Sequence, residues 1–520
     1  MNALDNSRMS QNESHRPGKA LSELLAGMAS LDTSLDCKVL APQLDSRQVK
    51  PGDLFIAIPG ASVDGRDYLE VALNKGAGAV IYEALENPYE DGDRAQYQLD
   101  VDIERNRPIL AIEDLRSKVS EIAARFYDGP SSKLKVVGVT GTNGKTTFSY
   151  LLAQACQNLG YSSAMMGTIG NGAVSSLTKS TLTTADAISV QRTLSEFVDK
   201  GMEVVCMEVS SHGLSQDRVS SIHFDTVVFT NLSQDHLDYH GDLKRYGEEK
   251  SKLFAFDDLQ LAVINCEDTL GQQLIKNHRA KRYLTYGLSQ GDIRPERLII
   301  DESGIRFVLH WQGESVAISS SLLGEVNVAN LLAVAACLLG MGVALDRLPE
   351  VFEDFVAPPG RMELFTANDD TDNTLPKVVV DYAHTPDALE RALQSLRQIS
   401  DQELVVVFGC GGDRDRGKRP IMGRIAEQYA DQVIVTDDNP RNEPPEKIVA
   451  DIVAGMSARP LIVHDREHAI TEAICPTLGV RKARIVLIAG KGHEDSQTSK
   501  NGVIHLSDRE IVMKVLEGQG

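Results

Sequence analysis

One segment, VVGVTGTNGKTT at positions 136–147, limits the fold more than any other part of the chain. A β-rich apolar run leads directly into a glycine-rich turn, and a helical stretch, FSYLLAQACQNL (148–159), follows it. Glycines at 141 and 144 let backbone N–H groups turn towards phosphate oxygens, and the helix N-terminus adds amides and a partial positive charge. The segment therefore predicts a nucleotide-phosphate site, formed by Gly141, Thr142, Asn143, Gly144, Lys145, Thr146 and Thr147.

The match to the general phosphate-loop pattern G-x-x-x-x-G-K-[ST] is incomplete, because Val139 occupies the first glycine position. In that pattern Lys145 reaches the β- and γ-phosphates, and the Thr146 hydroxyl is a ligand for Mg²⁺. The alternative is a helix N-terminus that is merely rich in glycine and threonine. The strand before the turn and the helix after it favour the phosphate site.

Short apolar runs recur along the chain, and most are followed by glycine or polar loops and then by helical periodicity. They are LFIAI (54–58), AVIYE (79–83), KVVGV (135–139), EVVCMEV (203–209), TVVFT (226–230), LAVIN (261–265), KVVVDYA (377–383), ELVVVFG (403–409), QVIVTDD (432–438) and RIVLIAG (484–490). Buried strands that alternate with helices indicate parallel, doubly wound sheets. Alternation in RFVLHW (306–311) predicts hairpins within 286–321, and VAPPGRME (356–363) is typical of a linker.

These patterns predict an α/β protein of three domains. Residues 1–130 form a small α/β N-terminal domain, in which residues 1–20 are expected to be flexible and 87–108 to be a polar surface excursion. Residues 131–357 form a central phosphate-loop domain with a doubly wound, mostly parallel sheet. Residues 358–520 form a C-terminal Rossmann-like α/β domain.

Charge and composition exclude several classes of function. The chain has 53 Lys and Arg against 74 Asp and Glu, a net charge of −21, which disfavours non-specific nucleic-acid binding. The seven cysteines include no C-x-x-C pair, so neither a disulfide framework nor a cysteine zinc site is expected. The N-terminus lacks the apolar region of a secretory signal. The uncharged stretch Val326–Leu345 is predominantly apolar only from Leu331 onwards, which is too short to span a membrane. We expect a cytoplasmic protein without membrane insertion, and no obligate protein partner is implied.

Three further positions have side chains suited to chemistry near the phosphates. Glu208 stands at the carboxyl end of an apolar strand, where α/β sheets bind ligands. His236 and His240 stand four residues apart, a spacing that could bind zinc on a helix, but no HExxH pattern or third ligand accompanies them. Lys250, in GEEKSKLF (247–254), is by its local sequence an ordinary solvated helix lysine.

Taken in order, several separated motifs resemble the Mur ligases, the ATP-dependent amide-forming enzymes of peptidoglycan synthesis. The motifs are TGTNGKTT (140–147), MEVSSHGL (207–214), TNLSQDHLDYHG (230–241), GEVNVAN (324–330), PPGRMELF (358–365) and VDYAHTPDAL (380–389). The resemblance extends over nearly the whole chain from about Leu44, and Val139 in the phosphate loop is normal for that family.

The resemblance is strongest to the branch that extends UDP-N-acetylmuramoyl-L-alanyl-D-glutamate. It implies a uridine pocket in the N-terminal domain, from LDSRQVKPGDLFIAIPG (44–60) and the residues after it, lined by Leu44, Ser46, Ala61, Ser62 and Val63. It implies that the muramoyl dipeptide is held by Leu182, Thr183, Thr184, Ser210, Gln216 and Arg218.

The same resemblance implies the ATP and metal ligands. Asn327, Asn330, Arg361 and Asp381 would contact ATP together with the phosphate loop. Mg²⁺ would be held by Thr146, Glu208, His236 and Lys250, and the catalytic group would be Lys145, Glu208, His236 and Lys250. Lys250 falls at the family's carbamylated lysine, which reverses the interpretation from its local sequence.

The C-terminal motifs GGDRDRGKRP (411–420), DDNPR (437–441) and AGKGHED (489–495) resemble the branch that adds meso-diaminopimelate. Its pocket would consist of Arg414, Asp438, Asn439, Pro440, Arg441, Gly490 and Glu494. Arg441 carries the distinction, because a guanidinium can pair with the extra carboxylate of diaminopimelate and would repel the ammonium of lysine. The alternative for DNPR is an Asn-Pro turn with a solvated arginine.

The implied reaction is ATP-dependent: the γ-phosphoryl group moves to the D-glutamyl γ-carboxylate, and the amine of meso-diaminopimelate displaces phosphate. We further expect the C-terminal domain to close about the 356–360 linker. A lysine-adding ligase, a ligase for D-alanyl-D-alanine and, in another class, a phosphate-loop NTPase switch remain alternatives. The polar loops that follow successive strand ends in the C-terminal domain disfavour the switch.

Overall fold

The structure, a computed structural model, describes residues 17–60, 63–84, 101–102, 107–367, 376–476 and 484–518. The chain forms two compact units. One comprises Met1–Thr140, Tyr161–Val227 and His236–Gln260, and the other comprises Gly141–Gly160, Val228–Asp235 and Leu261–Gly520.

The N-terminal part contains a small α/β sheet. An antiparallel pair comes first, formed by β1 (Lys19–Ala20) and β2 (Lys38–Val39). The sheet itself consists of β3 (Pro42–Gln43), β4 (Leu54–Ala57), β5 (Ala79–Glu83), β6 (Val101–Asp102) and β7 (Arg107–Ile112), in the order β3-β4-β5-β7-β6. Alternate residues of β4 enter separate apolar clusters, with Leu54 in one and Phe55 in the other. The sheet is therefore buried on both faces, as its continuous apolar runs predict.

The central sheet has seven strands, of which all but one edge strand are mostly apolar. They are β8 (Lys135–Thr140), β9 (Ser163–Gly167), β10 (Gly170–Gly172), β11 (Val204–Glu208), β12 (Thr226–Phe229), β13 (Leu261–Asn265) and β14 (Arg282–Tyr286), in the order β10-β9-β11-β8-β12-β13-β14. Strand β11 runs parallel to both β8 and β9, β13 runs parallel to β14, and the edge strand β10 is antiparallel to β9. A separate antiparallel sheet follows, made of β15 (Pro295–Asp301), β16 (Gly304–Trp311) and β17 (Glu314–Ser320).

The C-terminal sheet is mixed and doubly wound. Its strands are β18 (Glu363–Phe365), β19 (Lys377–Asp381), β20 (Glu403–Phe408), β21 (Gln432–Val435), β22 (Leu461–Ile462) and β23 (Arg484–Ala489), in the order β18-β19-β23-β20-β21-β22, and a hairpin of β24 (Ser496–Ser499) and β25 (Gly502–His505) follows. The last long strand, β23, lies between β19 and β20 and runs parallel to both. The carboxyl ends of β20, β21 and β23 are consequently aligned, with Phe408 opposite Val435 and Val407 opposite Ile488.

Sixteen α-helices connect and cover these sheets in the described residues. They are α1 (Leu21–Leu24), α2 (Leu69–Asn74), α3 (Leu115–Phe126), α4 (Lys145–Asn158), α5 (Ala187–Asp199), α6 (Ser211–Ser215), α7 (Leu237–His240), α8 (Leu243–Ser251), α9 (Thr269–Asn277), α10 (Glu325–Gly340), α11 (Leu348–Glu353), α12 (Pro386–Ile399), α13 (Lys418–Tyr429), α14 (Pro445–Val453), α15 (Arg466–Ile474) and α16 (Asp508–Glu517). In the C-terminal part, α12, α13 and α14 pack on one face of the sheet, and α15 and α16 pack on the other.

The fold-class prediction is confirmed: the protein is α/β, with a small N-terminal sheet, a mostly parallel central sheet and a Rossmann-like C-terminal sheet. The stretch from Leu331 is the buried helix α10, and among the described residues no helix is both long and apolar enough to cross a membrane. The predicted hairpins are the β15–β17 sheet, and 356–362 contains neither helix nor strand. Residues 1–16 and most of 87–108 lie outside the described residues, and the two boundaries between the three predicted domains remain a prediction.

Candidate active site

The phosphate loop has the geometry that its sequence predicts. Strand β8 ends at Thr140 and helix α4 begins at Lys145, with Gly144 as its N-cap at φ 87°. A Cβ atom on Gly141 would lie 1.9 Å from Thr230 Oγ1, and one on Gly144 would lie 2.8 Å from Asn330 Oδ1. Both glycines are therefore required by close approach as well as by backbone conformation.

Lys145 and the segment after β12 hold the loop in shape. Lys145 Nζ donates to the carbonyls of Gly141 and Thr142, each at 2.9 Å. Thr230 Oγ1 donates to Asn143 O at 2.6 Å, and Asn231 Oδ1 accepts from Asn143 N at 3.0 Å. Thr230 and Asn231 were missed as site residues by sequence reasoning, although both lie in the quoted motif TNLSQDHLDYHG.

Two buried asparagines of α10 lie at the same loop. Asn330 Oδ1 is the atom beside Gly144, and Asn330 Nδ2 donates to Asn327 Oδ1 at 3.1 Å. Asn327 Nδ2 in turn donates to Leu323 O at 2.8 Å. The first two turns of α10 thus place the Asn330 amide against the phosphate loop and Asn327 against Asn330. The contact of both side chains with ATP stays a prediction.

Arg361 and Asp381 are neighbours at the start of the C-terminal sheet. The carboxylate of Asp381 accepts from Met362 N and Ala383 N, both at 2.8 Å, so it fixes the backbone on either side of Arg361 and Tyr382. Burial raises the pKa of Asp381, while the charge of Arg361 and these amides act against that rise. The Arg361 guanidinium lies 4.4 Å from the centre of the Tyr382 ring, and its buried Nε has no hydrogen-bond acceptor among the described residues.

The residues predicted to hold the muramoyl dipeptide form one network. Thr184 Oγ1 donates to Glu208 O at 3.0 Å and accepts from Ser210 N at 2.9 Å. Arg218 Nη1 donates to Thr184 O and Arg218 Nη2 to Gln216 Oε1, both at 2.6 Å. Burial lowers the pKa of Arg218, and Asp186 acts against that effect.

The other predicted substrate contacts are less clustered. Thr183 Oγ1 lies 3.0 Å from Thr168 Oγ1, Leu182 is exposed, Ser46 is buried and Leu44 is half-buried. Val63 is exposed, and Ala61 and Ser62 lie outside the described residues, so the uridine pocket remains a prediction.

Glu208 lies fully buried at the end of β11, opposite Val139, which comes two residues before the phosphate loop. Its carboxylate accepts from Thr168 N at 2.8 Å and from Thr168 Oγ1 at 3.1 Å. A Cβ atom on Gly167 would lie 2.0 Å from Glu208 Oε1, so a glycine is needed to admit the carboxylate.

Lys250 is not a solvated lysine, and the interpretation from its local sequence is wrong. Its side chain is buried on α8, with Nζ 4.2 Å from the centre of the Tyr246 ring. His236 lies at the start of α7 with φ 52°, and its ring meets His212 edge-on at 5.0 Å. Among the described residues no group of three His, Cys, Asp or Glu side chains is arranged to hold a metal ion, and the zinc alternative for His236 and His240 gains no support.

Three loops at the aligned carboxyl ends of β20, β21 and β23 bring the predicted amino-acid ligands together. Arg441 Nη1 donates to Gly412 O at 2.8 Å, and Asn439 Nδ2 donates to Glu494 Oε2 at 2.9 Å. Lys491 Nζ, which is buried, lies 3.3 Å from the same Glu494 oxygen.

The other residues predicted for the amino-acid pocket differ in how close they lie to Arg441, Asn439 and Glu494. A Cβ atom on Gly490 would lie 2.7 Å from Asp438 Oδ2, and Pro440 is buried with its carbonyl against Gly412. Arg414 is exposed, and its guanidinium has no hydrogen-bond partner in the described part of the chain. The hairpin β24–β25 closes one side, because Thr498 N donates to Asn439 Oδ1 and Thr498 O accepts from Arg441 N.

Comparison with known proteins identifies the class to which this site belongs. Three family models match: "Mur ligase family, catalytic domain" over residues 43–127, "Mur ligase middle domain" over 139–338 and "Mur ligase, glutamate ligase domain" over 360–492. The chain belongs to the Mur ligase family.

Two relatives within the family carry the same name. The chain is 44% identical to the UDP-N-acetylmuramoyl-L-alanyl-D-glutamate--2,6-diaminopimelate ligase of Chromobacterium violaceum, over 92% of this chain and 94% of the relative. It is 45% identical to the protein of that name from Ectopseudomonas mendocina, over 87% and 90%. A solved structure titled as that ligase covers 96% of this chain and 99% of its own, with 35% identity and a TM-score of 0.67.

A more distant structure shares the fold alone. It is the MurF ligase from Thermotoga maritima in complex with ADP, with 18% identity and a TM-score of 0.62, covering 94% of this chain and all of its own.

Proposed function

We propose that this protein is the ATP-dependent ligase that adds meso-2,6-diaminopimelate to the D-glutamyl γ-carboxylate of UDP-N-acetylmuramoyl-L-alanyl-D-glutamate, in peptidoglycan precursor synthesis. The reaction forms one amide bond and releases ADP and phosphate. Relatives with 41–45% identity carry the name of this activity. The observation that carries the choice of amino acid is Arg441, whose guanidinium lies among Gly412, Asn439 and, through Asn439, Glu494.

The chemistry begins with a carboxylate, which is a poor electrophile. Transfer of the γ-phosphoryl group from ATP to the D-glutamyl γ-carboxylate gives an acyl phosphate and ADP. An amine of meso-diaminopimelate attacks the acyl carbon, a tetrahedral intermediate forms, phosphate leaves and the amine loses a proton. The γ-carboxylate, the transferred phosphoryl group and ADP are all anionic. The reaction therefore depends on how these groups are positioned and on positive charge that offsets their mutual repulsion.

The phosphate loop and Arg361 supply that compensation in our proposal. Lys145 and the loop amides bind the β- and γ-phosphates, and Lys145 exchanges its two loop carbonyls for phosphate oxygens. Asn327 and Asn330 support the loop from α10. The buried Nε of Arg361 is directed to an anion, because a buried donor without an acceptor is costly.

The donor set also fits Mg²⁺. Thr146, Glu208, His236 and a carbamylated Lys250 would supply mainly hard oxygen ligands, which Mg²⁺ prefers. When bound, the ion neutralises phosphate charge and polarises the transferred group. Lys250, which is buried on α8, would take part as its carbamate, because that carboxylate-like group can ligate Mg²⁺ whereas an ammonium group would repel it.

Recognition of the amino acid rests on charge. Arg441 pairs with the carboxylate of diaminopimelate that lysine lacks, and Glu494 accepts from an ammonium group. With lysine in the pocket, the guanidinium would face an ammonium group instead. We place the reaction in the cytoplasm, because both ATP and a UDP-linked precursor are cytoplasmic metabolites.

The test is phosphate release from ATP with Mg²⁺ and UDP-N-acetylmuramoyl-L-alanyl-D-glutamate, with meso-diaminopimelate, L-lysine or D-alanyl-D-alanine in separate reactions. We expect turnover with meso-diaminopimelate alone and a product mass equal to the tripeptide derivative. Turnover with lysine alone would contradict the proposed selection of diaminopimelate by Arg441. Turnover with D-alanyl-D-alanine alone would contradict assignment to the branch of the family that extends UDP-N-acetylmuramoyl-L-alanyl-D-glutamate. Phosphate release at a rate independent of all three amino-acid substrates would contradict the ligase activity and favour a phosphate-loop NTPase switch.

A further inference from the structure

Arg466, the first residue of α15, is fully buried beneath the amino-acid pocket. Its Nε and Nη2 donate to the two carboxylate oxygens of Asp508, at 2.7 and 2.8 Å, and Asp508 is the first residue of α16. Neither side chain is exposed to solvent. Neither residue belongs to the motifs that predicted the pocket, and they are separated by 42 positions in the chain.

The remaining donors of Arg466 are directed to the backbone of two pocket loops. Nη2 donates to Ala489 O at 3.0 Å, and Nη1 makes a longer hydrogen bond to Asp437 O at 3.4 Å. Ala489 is the last residue of β23 and precedes Gly490, whereas Asp437 is the first residue of the DDNPR segment (437–441) after β21. One planar guanidinium thus connects the loop that carries Arg441 to the loop that carries Glu494.

A buried ion pair is weak evidence for a role in stability. Well-packed apolar side chains of similar volume usually stabilise a core equally well, because two buried charges lose their solvation by water. What apolar side chains cannot reproduce is the fixed fork of N–H donors, which sets the distance and angle between two carbonyl groups. The pair is therefore suited to fix geometry.

Electrostatics support the same role. Asp508, Asp438 and Glu494 all raise the pKa of Arg466, against the lowering effect of its burial. Two acidic members of the pocket, Asp438 and Glu494, therefore lie within electrostatic range of Arg466. A second buried arginine, Arg419, donates to Gly411 O at 3.1 Å and supports the third pocket loop in the same way.

We propose that Arg466, held by Asp508, is a positioning residue for the amino-acid substrate: it sets the spacing of the Arg441 and Glu494 loops and thereby the affinity for diaminopimelate, without touching it. The identity of the amino acid rests on the proposed function above. Among the described residues Arg466 donates to Asp508, Ala489 and Asp437 alone, and none of these belongs to the predicted nucleotide or muramoyl-dipeptide sites. The affinities for those two substrates should therefore not depend on Arg466.

The experiment uses the full chain with Arg466→Lys, Asp508→Asn and the double variant Arg466→Met/Asp508→Leu. The double variant removes both charges and restores apolar packing, so it is expected to fold even if a single variant does not. The matched control is Ile470→Ala, which removes a fully buried side chain one turn along the same helix. Thermal unfolding and the KM for each of the three substrates are measured for all variants.

We expect the double variant to raise the KM for diaminopimelate about tenfold, as loss of a hydrogen bond to a charged donor implies, with the KM for ATP within about twofold of the original value. Arg466→Lys should give an intermediate increase, because it retains the charge but not the fork. Ile470→Ala should lower the unfolding temperature without this selective increase.

Two results would overturn the proposal. The first is a KM for diaminopimelate equal to that of the unsubstituted protein in every Arg466 variant that folds. The second is a rise of the KM values for all three substrates together, in proportion to the loss of stability. Failure of the proposed function is distinguishable, because the unsubstituted protein would then show no turnover that depends on diaminopimelate.

Discussion

Gly411 has no Cβ atom, and this leaves space in the amino-acid pocket for the guanidinium of Arg441. A Cβ atom at this position would lie 2.8 Å from Nη1 of Arg441, at the atom that donates to Gly412 O. The atom that must yield is the far end of a flexible side chain, and Gly411 does not have a positive φ. A substitution here should therefore move Arg441 and leave the loop in place.

For Gly411→Ala we expect a rise of about tenfold in the KM for diaminopimelate, because the guanidinium loses its position. The unfolding temperature should hardly change. The measurement is steady-state kinetics with each substrate varied, beside a thermal unfolding curve.

The adjacent Gly412→Ala serves as the contrast. Its Cβ atom would lie 1.8 Å from the carbonyl oxygen of Pro440, a backbone atom that cannot move alone. This variant should lose stability and all activity together. If Gly411→Ala behaved in the same way, Arg441 would not be the group that Gly411 accommodates.

His493 predicts how stability depends on pH. Burial and then the charge of Arg361 lower its pKa to about 4, its Nδ1 has no partner among the described residues, and its ring lies 5.2 Å from that of Tyr382. The unfolded chain protonates this histidine below about pH 6.5, while the folded chain stays neutral to about pH 4. Stability linked to His493 is therefore present above pH 6.5 and lost as the pH falls from 6.5 to 4.

For His493→Gln we expect the unfolding temperature to fall less steeply between pH 6.5 and 4 than in the original chain. The difference in free energy of unfolding amounts to at most roughly 3 kcal/mol across that range. Parallel curves for the two proteins would contradict the assigned pKa direction.

At the scale of elements, the phosphate loop depends on a strand that does not contain it. Thr230 follows β12, and its hydroxyl both fills the space that Gly141 leaves open and donates to Asn143 O. The strand–loop–helix unit is readable from positions 136–159 alone. Its anchor comes from a segment about 90 residues later, as the spacing of Asn143 and Thr230 shows.

We expect Thr230→Val to raise the KM for ATP about tenfold, because the isosteric side chain keeps the packing and removes the hydrogen bond to the loop. Kinetics with ATP varied at saturating co-substrates give the measurement. The control is Thr226→Val, at an equally buried threonine that begins the same strand. An equal effect of both variants would mean that stability of the strand, and not the anchor, determines nucleotide binding.

At the scale of the whole molecule, ligands should stabilise the parts of the chain that bind them. A ligand at about 100 times its dissociation constant adds about 2.7 kcal/mol to the free energy of unfolding of the structure that binds it. Because the chain has several sheets, its unfolding need not be a single transition.

We expect ADP with Mg²⁺ and diaminopimelate each to raise the unfolding temperature, and EDTA to abolish most of the nucleotide effect. Lys145→Ala should remove the shift with ADP only, and Arg441→Met the shift with diaminopimelate only. Lys514→Ala, at an exposed lysine of α16, is the control that should keep both shifts. Loss of both shifts in one pocket variant would contradict separate sites.

Much of this protein was predictable from short stretches of sequence. The ten apolar runs all form strands, and the glycine loop joins β8 to α4, because strand burial and glycine geometry are local properties. The less regular strands β9 and β14 were missed, since SAMMG and RYLTY lack a clear apolar run. Resemblance in motifs identified the family and most candidate ligands, which the comparisons support at the level of family and activity.

Other features depended on tertiary structure, because they join residues that are distant in the chain. Lys250 reads as a surface lysine in its local sequence, and only the packing of the folded chain around α8 buries its side chain. The sequence cannot show that Arg466 meets Asp508, nor that β23 lies between β19 and β20 and so aligns three pocket loops. Local sequence determined which elements form, whereas long-range packing decided which side chains share a site, because burial and pairing energies belong to contacts that exist only in the folded chain.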